Sequence, residues 1–125
     1  MTVLLPSGNS AEAARSEQLA RGITGARVAG RRGLKETASL LARADLVCGV
    51  DTGLVHLAAA LGVPTVALFV ATDPELAGVA RAGEHARDLG GTGRMPSPDE
   101  VIAAAGAIMI AIGWVKLANC DASTR

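Results

Sequence analysis

Leu46-Val47-Cys48-Gly49-Val50-Asp51-Thr52-Gly53-Leu54-Val55-His56 decides how this chain is read. An apolar run breaks at Asp-Thr-Gly and restarts as Leu57-Ala58-Ala59-Ala60-Leu61, which predicts strand, tight turn and helix. Such a turn aims the unpaired N–H groups of the first helical turn beyond the strand end. Those donors, with the helix dipole, favour an anion, most often a phosphate.

Working outward, the same alternation recurs. Thr2–Leu5 reads as a strand closed by Pro6-Ser7-Gly8, with Ser10 capping a helix over Ala11–Arg21 that ends at Gly22. Arg27–Ala29 reads as a weak second strand, and Gly33 precedes a helix over Leu34–Arg43. The third strand spans Asp45–Val50, the helix Leu54–Leu61 ends with Gly62 at C′, and Pro64 leads into the strongest strand, Thr65–Val70. Thr72-Asp73-Pro74 has the form of a helix start, a capping side chain before a proline. Residues 83–97, rich in glycine and proline, read as loop with at most one short strand at His85–Leu89.

Strands alternating with helices at this spacing predict an α/β fold, a Rossmann-like parallel sheet with helices on both faces. Ligands of such sheets bind outside the carboxyl ends of the strands. Pro6-Ser7-Gly8, Asp51-Thr52-Gly53 and Thr72-Asp73-Pro74 all fall at those ends, so the three turns are expected to line one cleft. Asp99 opens a terminal helix, about 98–117, apolar on nearly every face: Val101, Ile102, Ala105, Ile108, Met109, Ile112 and Val115. Its apolar core is shorter than the ~20 residues needed to cross a bilayer. It is expected to pack on the sheet and against something this chain does not supply.

Composition narrows the function classes. The 125 residues suffice for one domain, and half of them are hydrophobic. Twelve basic and twelve acidic residues cancel, and Phe69 and Trp114 are the only aromatic residues, so a nucleic-acid partner is not expected. The charge is uneven: residues 1–43 hold seven Arg/Lys against three Glu, with Arg31, Arg32 and Lys35 clustered. That cluster reads as a solvated loop and helix start, or as a patch facing a phosphorylated ligand or an anionic membrane surface. Cys48 in an apolar strand and Cys120 in the polar tail suggest reduced, intracellular thiols. No metal-ligand spacing and no cofactor loop of the Gly-x-Gly-x-x-Gly or Gly-x-x-x-x-Gly-Lys kind is present, and no signal peptide is expected.

His56 falls in the first turn of the helix after Asp51-Thr52-Gly53, within reach of the same anion, although a helix histidine taken alone is more often packed or capping. Asp51 taken alone reads equally as an N-cap or as part of the site. Asp-Thr-Gly also occurs in aspartic proteases, but those are β-rich. The longer string is more specific. Asp51 through Leu61, Pro64, and Thr72-Asp73-Pro74-Glu75-Leu76-Ala77-Gly78 resemble the ADP-heptose:lipopolysaccharide heptosyltransferases, glycosyltransferase family 9. The Thr-Asp-Pro turn is most similar to the heptosyltransferase I branch, and Leu5-Pro6-Ser7-Gly8 followed by Glu12 matches in register.

The resemblance implies two Rossmann-like domains in the GT-B arrangement, of which residues 1–125 correspond to most of the C-terminal, donor-binding one, without the N-terminal acceptor domain. It implies backbone N–H groups of Thr52, Gly53 and Leu54 on the ADP diphosphate, Asp51 and His56 bordering diphosphate and heptose, and Glu12 on the ribose hydroxyls. Ser7, Gly8, Thr72 and Asp73 are secondary candidates. The implied partners are ADP-heptose and the Kdo region of the lipopolysaccharide inner core, at the cytoplasmic face of the membrane, with no cofactor or metal. Departures are Ser7, where the family usually has an aromatic residue, and Val70-Ala71, where it usually has Gly-Pro. The family's general base and a phosphate-contacting lysine have no counterpart in these residues, so the chain alone is expected to bind ADP weakly at best and not to turn over. The alternatives are a non-catalytic nucleotide-binding or interaction module, and another nucleotide-sugar enzyme of the same architecture.

Overall fold

Thr65, Val66, Ala67 and Phe69 are almost wholly shielded from solvent, which marks their strand as the centre of a sheet covered on both faces. In the computed structural model, which describes residues 1–112, this strand is β4 (Thr65–Phe69). The chain divides into two units, Met1–Thr37 and a second that begins at Ala38. Both are parallel α/β, as the alternation predicts, with the five strands shared between a two-stranded and a three-stranded sheet.

In the first unit β1 (Val3–Leu5) pairs in parallel with β2 (Ala26–Val28), Val3 opposite Ala26 and Leu5 opposite Val28. The crossover is α1 (Ser10–Gly22). Its cap is Asn9 and not the expected Ser10. Asn9 holds the extended conformation (φ −150°), its Oδ1 accepts the Glu12 N–H at 2.9 Å, and Ser10 is thereby already the first helical residue. Glu12 in turn accepts the Gly8 N–H through Oε2 at 2.6 Å. α2 (Leu34–Ala42) carries the chain into the second unit.

There β3 (Val47–Val50), β4 and β5 (Ala86–Gly90) form a parallel sheet in the order β3-β4-β5, with Val47 and Ala86 both opposite Thr65. Strand alternation leaves Cys48 exposed, against the expectation of apolar surroundings, while Val47 and Gly49 on the other face are half-buried. α3 (Gly53–Ala60) crosses from β3 to β4 and packs closely on its own strand: a methyl on Gly49 would come within 3.2 Å of Val55 Cγ1. Leu61 and Gly62 (φ +80°) end α3 as the sequence predicts. The core joins Phe69 and Ala67 of β4 to Val55 and Ala59 of α3, Ala86 of β5 and Val79.

α4 (Pro74–Ala77) starts as expected, with Asp73 Oδ1 accepting the Glu75 N–H at 2.9 Å and Pro74 in the first turn. A 3₁₀ turn, Ala80–Ala82, leads to β5. Asp88 of β5 fastens this connection: Oδ1 accepts the Val79 N–H at 2.8 Å and Oδ2 the Ala80 N–H at 3.1 Å. Asp88→Ala would strand both donors, at about 1–3 kcal/mol for each one that water does not reach. A drop in the urea midpoint at an unchanged slope is the expected reading.

α5 (Pro98–Ala111) packs against β4 and β5 as expected, burying Ile108 and Met109. Its start lies earlier than Asp99. Ser97 Oγ accepts the Glu100 N–H at 3.2 Å and Glu100 Oε1 accepts the Ser97 N–H at 3.5 Å, a reciprocal capping box. Ile102, Ile110 and Ile112 are exposed. Trp114, Val115, Cys120 and the last part of the expected 98–117 helix lie outside the described residues. Among the described residues no helix is long and apolar enough to cross a membrane.

Candidate functional site

Parallel pairing sets the ends of β3 and β4 side by side, because Val50 lies opposite Leu68 and the Asp51 N–H donates to the Leu68 carbonyl at 3.0 Å. The turns that follow these strands therefore meet. At the first, Thr52 is the N-cap of α3 in an extended conformation (φ −138°, ψ 168°), yet its side chain makes no capping bond. The expected cap, Asp51, is not the cap either. Among the described residues the N–H groups of Gly53, Leu54 and Val55 have no protein acceptor; the first helical bond is His56 N–H to the Thr52 carbonyl, at 3.4 Å. α1, α4 and α5 are all closed by side chains; α3 is open.

Asp51 instead points across the turn. Its Oδ1 lies 2.7 Å from His56 Nε2 and its Oδ2 accepts the Thr72 hydroxyl at 2.6 Å. The Thr72 hydrogen bond, then the His56 ring beside it, hold the Asp51 carboxyl below the usual carboxylate range. A carboxyl whose folded-state pKa is depressed stabilises the fold fully above its ordinary value near 3.8 and ceases to do so as pH falls through the lowered value. Asp51→Asn is accordingly expected to lessen the loss of stability in acid, read as a flatter urea midpoint as pH falls below about 4.

Gly53 is exposed, and a methyl built on it meets nothing within 4 Å among the described residues. Its φ is not positive. Neither packing nor backbone geometry requires glycine here, which leaves room for something to approach the helix end closely.

Of the expected residues, Asp51, Thr52, Gly53, Leu54, His56 and Thr72 thus stand around the open end of α3. Asp73 belongs to the same turn as Thr72 but spends one carboxylate oxygen on capping α4. Ser7, Gly8 and Glu12 belong to the first unit. There Ser7 Oγ donates to the Ala29 carbonyl at 3.0 Å, and Glu12 closes on Gly8. An open groove of about 290 Å³ is lined by Ser7, Gly8, Asn9, Ser10, Ala13 and Arg31. Arg31 belongs to the basic cluster of the sequence, whereas Asn9 is not among the expected site residues; the Asn9-x-x-Glu12 spacing is the signal for its cap. The described residues hold no group of three or more His, Cys, Asp or Glu suited to a metal ion.

Comparison with known proteins supplies a frame for this geometry. The profile of glycosyltransferase family 9 (heptosyltransferase) matches residues 1–99. Lipopolysaccharide heptosyltransferase 1 of Pseudomonas aeruginosa is 48% identical over 77 residues, 62% of this chain and 22% of the relative. The protein of the same name from Salmonella typhimurium is 45% identical over 78 residues, 62% and 25% of the two chains. The solved structure of E. coli heptosyltransferase WaaC with ADP superposes with a TM-score of 0.66 at 31% identity, over 91% of this chain and 34% of that one. WaaC with ADP-2-deoxy-2-fluoro heptose gives the same score, over 91% and 33%. The chain therefore spans less than a third of the length of these curated relatives.

Proposed function

From a chain that belongs to glycosyltransferase family 9, the heptosyltransferases, we propose a donor-binding role in the transfer of heptose from ADP-heptose to the inner core of lipopolysaccharide. The observation that carries it is the open N-terminus of α3. Three helical N–H groups without acceptors among the described residues, a glycine that packing there does not need and a half-exposed histidine surround a place suited to a diphosphate. The solved relatives named for ADP and for an ADP-heptose analogue support the same ligand class.

In this reading the backbone donors that the resemblance implies, Thr52, Gly53 and Leu54, serve the diphosphate, two of them being open helical groups of α3, and Asp51 and His56 border it. Glu12 serves the ribose hydroxyls, through the oxygen not already taken by Gly8. Heptose transfer is a displacement at the anomeric carbon. The acceptor oxygen forms the new bond, the bond to the β-phosphate oxygen breaks, and ADP leaves with the developing charge. Fixed N–H donors at the leaving phosphate stabilise that charge as it grows. The proton of the acceptor hydroxyl needs a base within hydrogen-bond reach, and we assign that role to no carboxylate of residues 1–125. The chain on its own binds the nucleotide without turnover.

Calorimetric titration of the 125-residue chain with ADP, GDP and UDP tests the proposal. Binding of ADP in preference to the other two is the expected result, weakened in Glu12→Ala. Equal response to all three would favour another nucleotide-sugar enzyme, and heptose transfer by the chain alone would refute the absence of a base.

A further inference from the structure

Both oxygens of the Asp51 carboxylate are engaged inside the protein, one by His56 and one by Thr72. An ionised carboxylate only accepts hydrogen bonds, so the ring nitrogen 2.7 Å from Oδ1 must carry a hydrogen. That nitrogen is Nε2. A neutral imidazole has a single N–H, which leaves Nδ1 with a lone pair and, among the described residues, with no protein partner. Thr72 lies 21 residues further along the chain, in the turn after β4. Its hydroxyl holds the second carboxylate oxygen, while the Asp51 N–H is held by Leu68 of β4. The carboxylate is thus held beside the ring by the turns that follow both strands. The other acid of that turn, Asp73, turns to the α4 N-terminus instead, and Asp51 is the one charged group in an ion pair with His56 among the described residues.

We infer that Asp51 and Thr72 are positioning residues that fix His56 in the tautomer with its hydrogen on Nε2, and so decide what Nδ1 can bind. The neutral ring offers Nδ1 as an acceptor, which suits a sugar hydroxyl. Only the imidazolium offers an N–H there, which suits a phosphate oxygen. His56 touches the donor; Asp51 and Thr72 act through it. The tautomer follows from the geometry alone, and its consequence for ligand choice rests on the donor-site reading above.

Two measurements on the 125-residue chain separate these parts. Long-range ¹H–¹⁵N spectra of the ligand-free protein, at a pH where the ring is neutral, are expected to show the Nε2–H tautomer for His56. Thr72→Ser should keep it, whereas Thr72→Val and Asp51→Ala should give a mixture; a predominant Nδ1–H form in the unaltered protein, or no change in Asp51→Ala, would overturn the inference. In titrations with ADP-heptose, whose sugar hydroxyls suit the Nδ1 acceptor, Thr72→Val should weaken binding about fivefold, the loss of one ordinary hydrogen bond's worth of orientation, and have no effect in a His56→Gln background. Equal losses in both backgrounds would mean that Thr72 meets the donor directly, and would overturn its positioning role. If the unaltered chain binds no ADP, the donor reading fails while the spectra still judge the tautomer.

Discussion

Gly53→Asp is expected to make the protein more stable and a worse ADP binder at once. The substituted side chain enters space that holds no atom of the described residues within 4 Å. There its carboxylate meets N–H groups that otherwise have no acceptor among the described residues, at the positive end of a helix. An acid in the first helical turn contributes about 0.3–1 kcal/mol, and leaving glycine for a less flexible residue adds a few tenths. For a domain of this size the melting temperature should rise by about 2–6 °C. The same charge would stand where a diphosphate is proposed to sit, competing for its donors and repelling it, so ADP affinity should fall at least about tenfold, or 1.4 kcal/mol. Calorimetry measures both, by scanning and by titration. An increase in stability with unchanged ADP binding would put the diphosphate elsewhere. Gly53→Ala, which adds bulk without charge, should leave folding nearly unchanged and lose less affinity.

Phe69→Ala carries the largest expected cost to folding. Phe69 is fully buried at the end of β4, in a cluster with Val55 and Ala59 of α3, Ala67, Val79 and Ala86. The neighbours are mostly small, so they have little side chain with which to fill the void. Removing the ring should cost about 3–5 kcal/mol, a large share of the ~5–15 kcal/mol that holds a typical domain. The urea midpoint reads this loss directly. ADP binding should fall with it even at temperatures where the variant is folded, because two of the ring's neighbours seat the helix whose end forms the site. Retained ADP affinity in folded Phe69→Ala would show that α3 keeps its place without the ring.

The parts of this fold that were legible in the sequence are those settled within a few residues. Gly62 and Asp73-Pro74 each announce a helix end by local chemistry, and each lies where it was expected, while Asp51-Thr52-Gly53 marks a helix start whose expected cap faces elsewhere. Where two capping residues stand adjacent, as at Asn9-Ser10, residue type alone does not choose between them. The backbone conformation at Asn9 and the reach of Glu12 to Gly8 do. The links that build the candidate site are longer. Thr72 meets Asp51 only because parallel pairing brings two strand ends into register, and nothing local to either residue encodes it. Asp88 reads as a polar residue in a strand, although its carboxylate closes a connection eight and nine residues earlier.

The open end of α3 also makes the chain its own reporter. Amide hydrogens without an acceptor exchange with solvent nearly as fast as those of an unfolded peptide, whereas those deeper in the same helix are protected by their bonds. Gly53 and Leu54, which are not buried, therefore form a short fast-exchanging island ahead of a slow-exchanging helix. An anion seated on them would slow these two amides without changing the fold around them. Occupancy could thus be followed in deuterium uptake, residue by residue, with no label and no turnover.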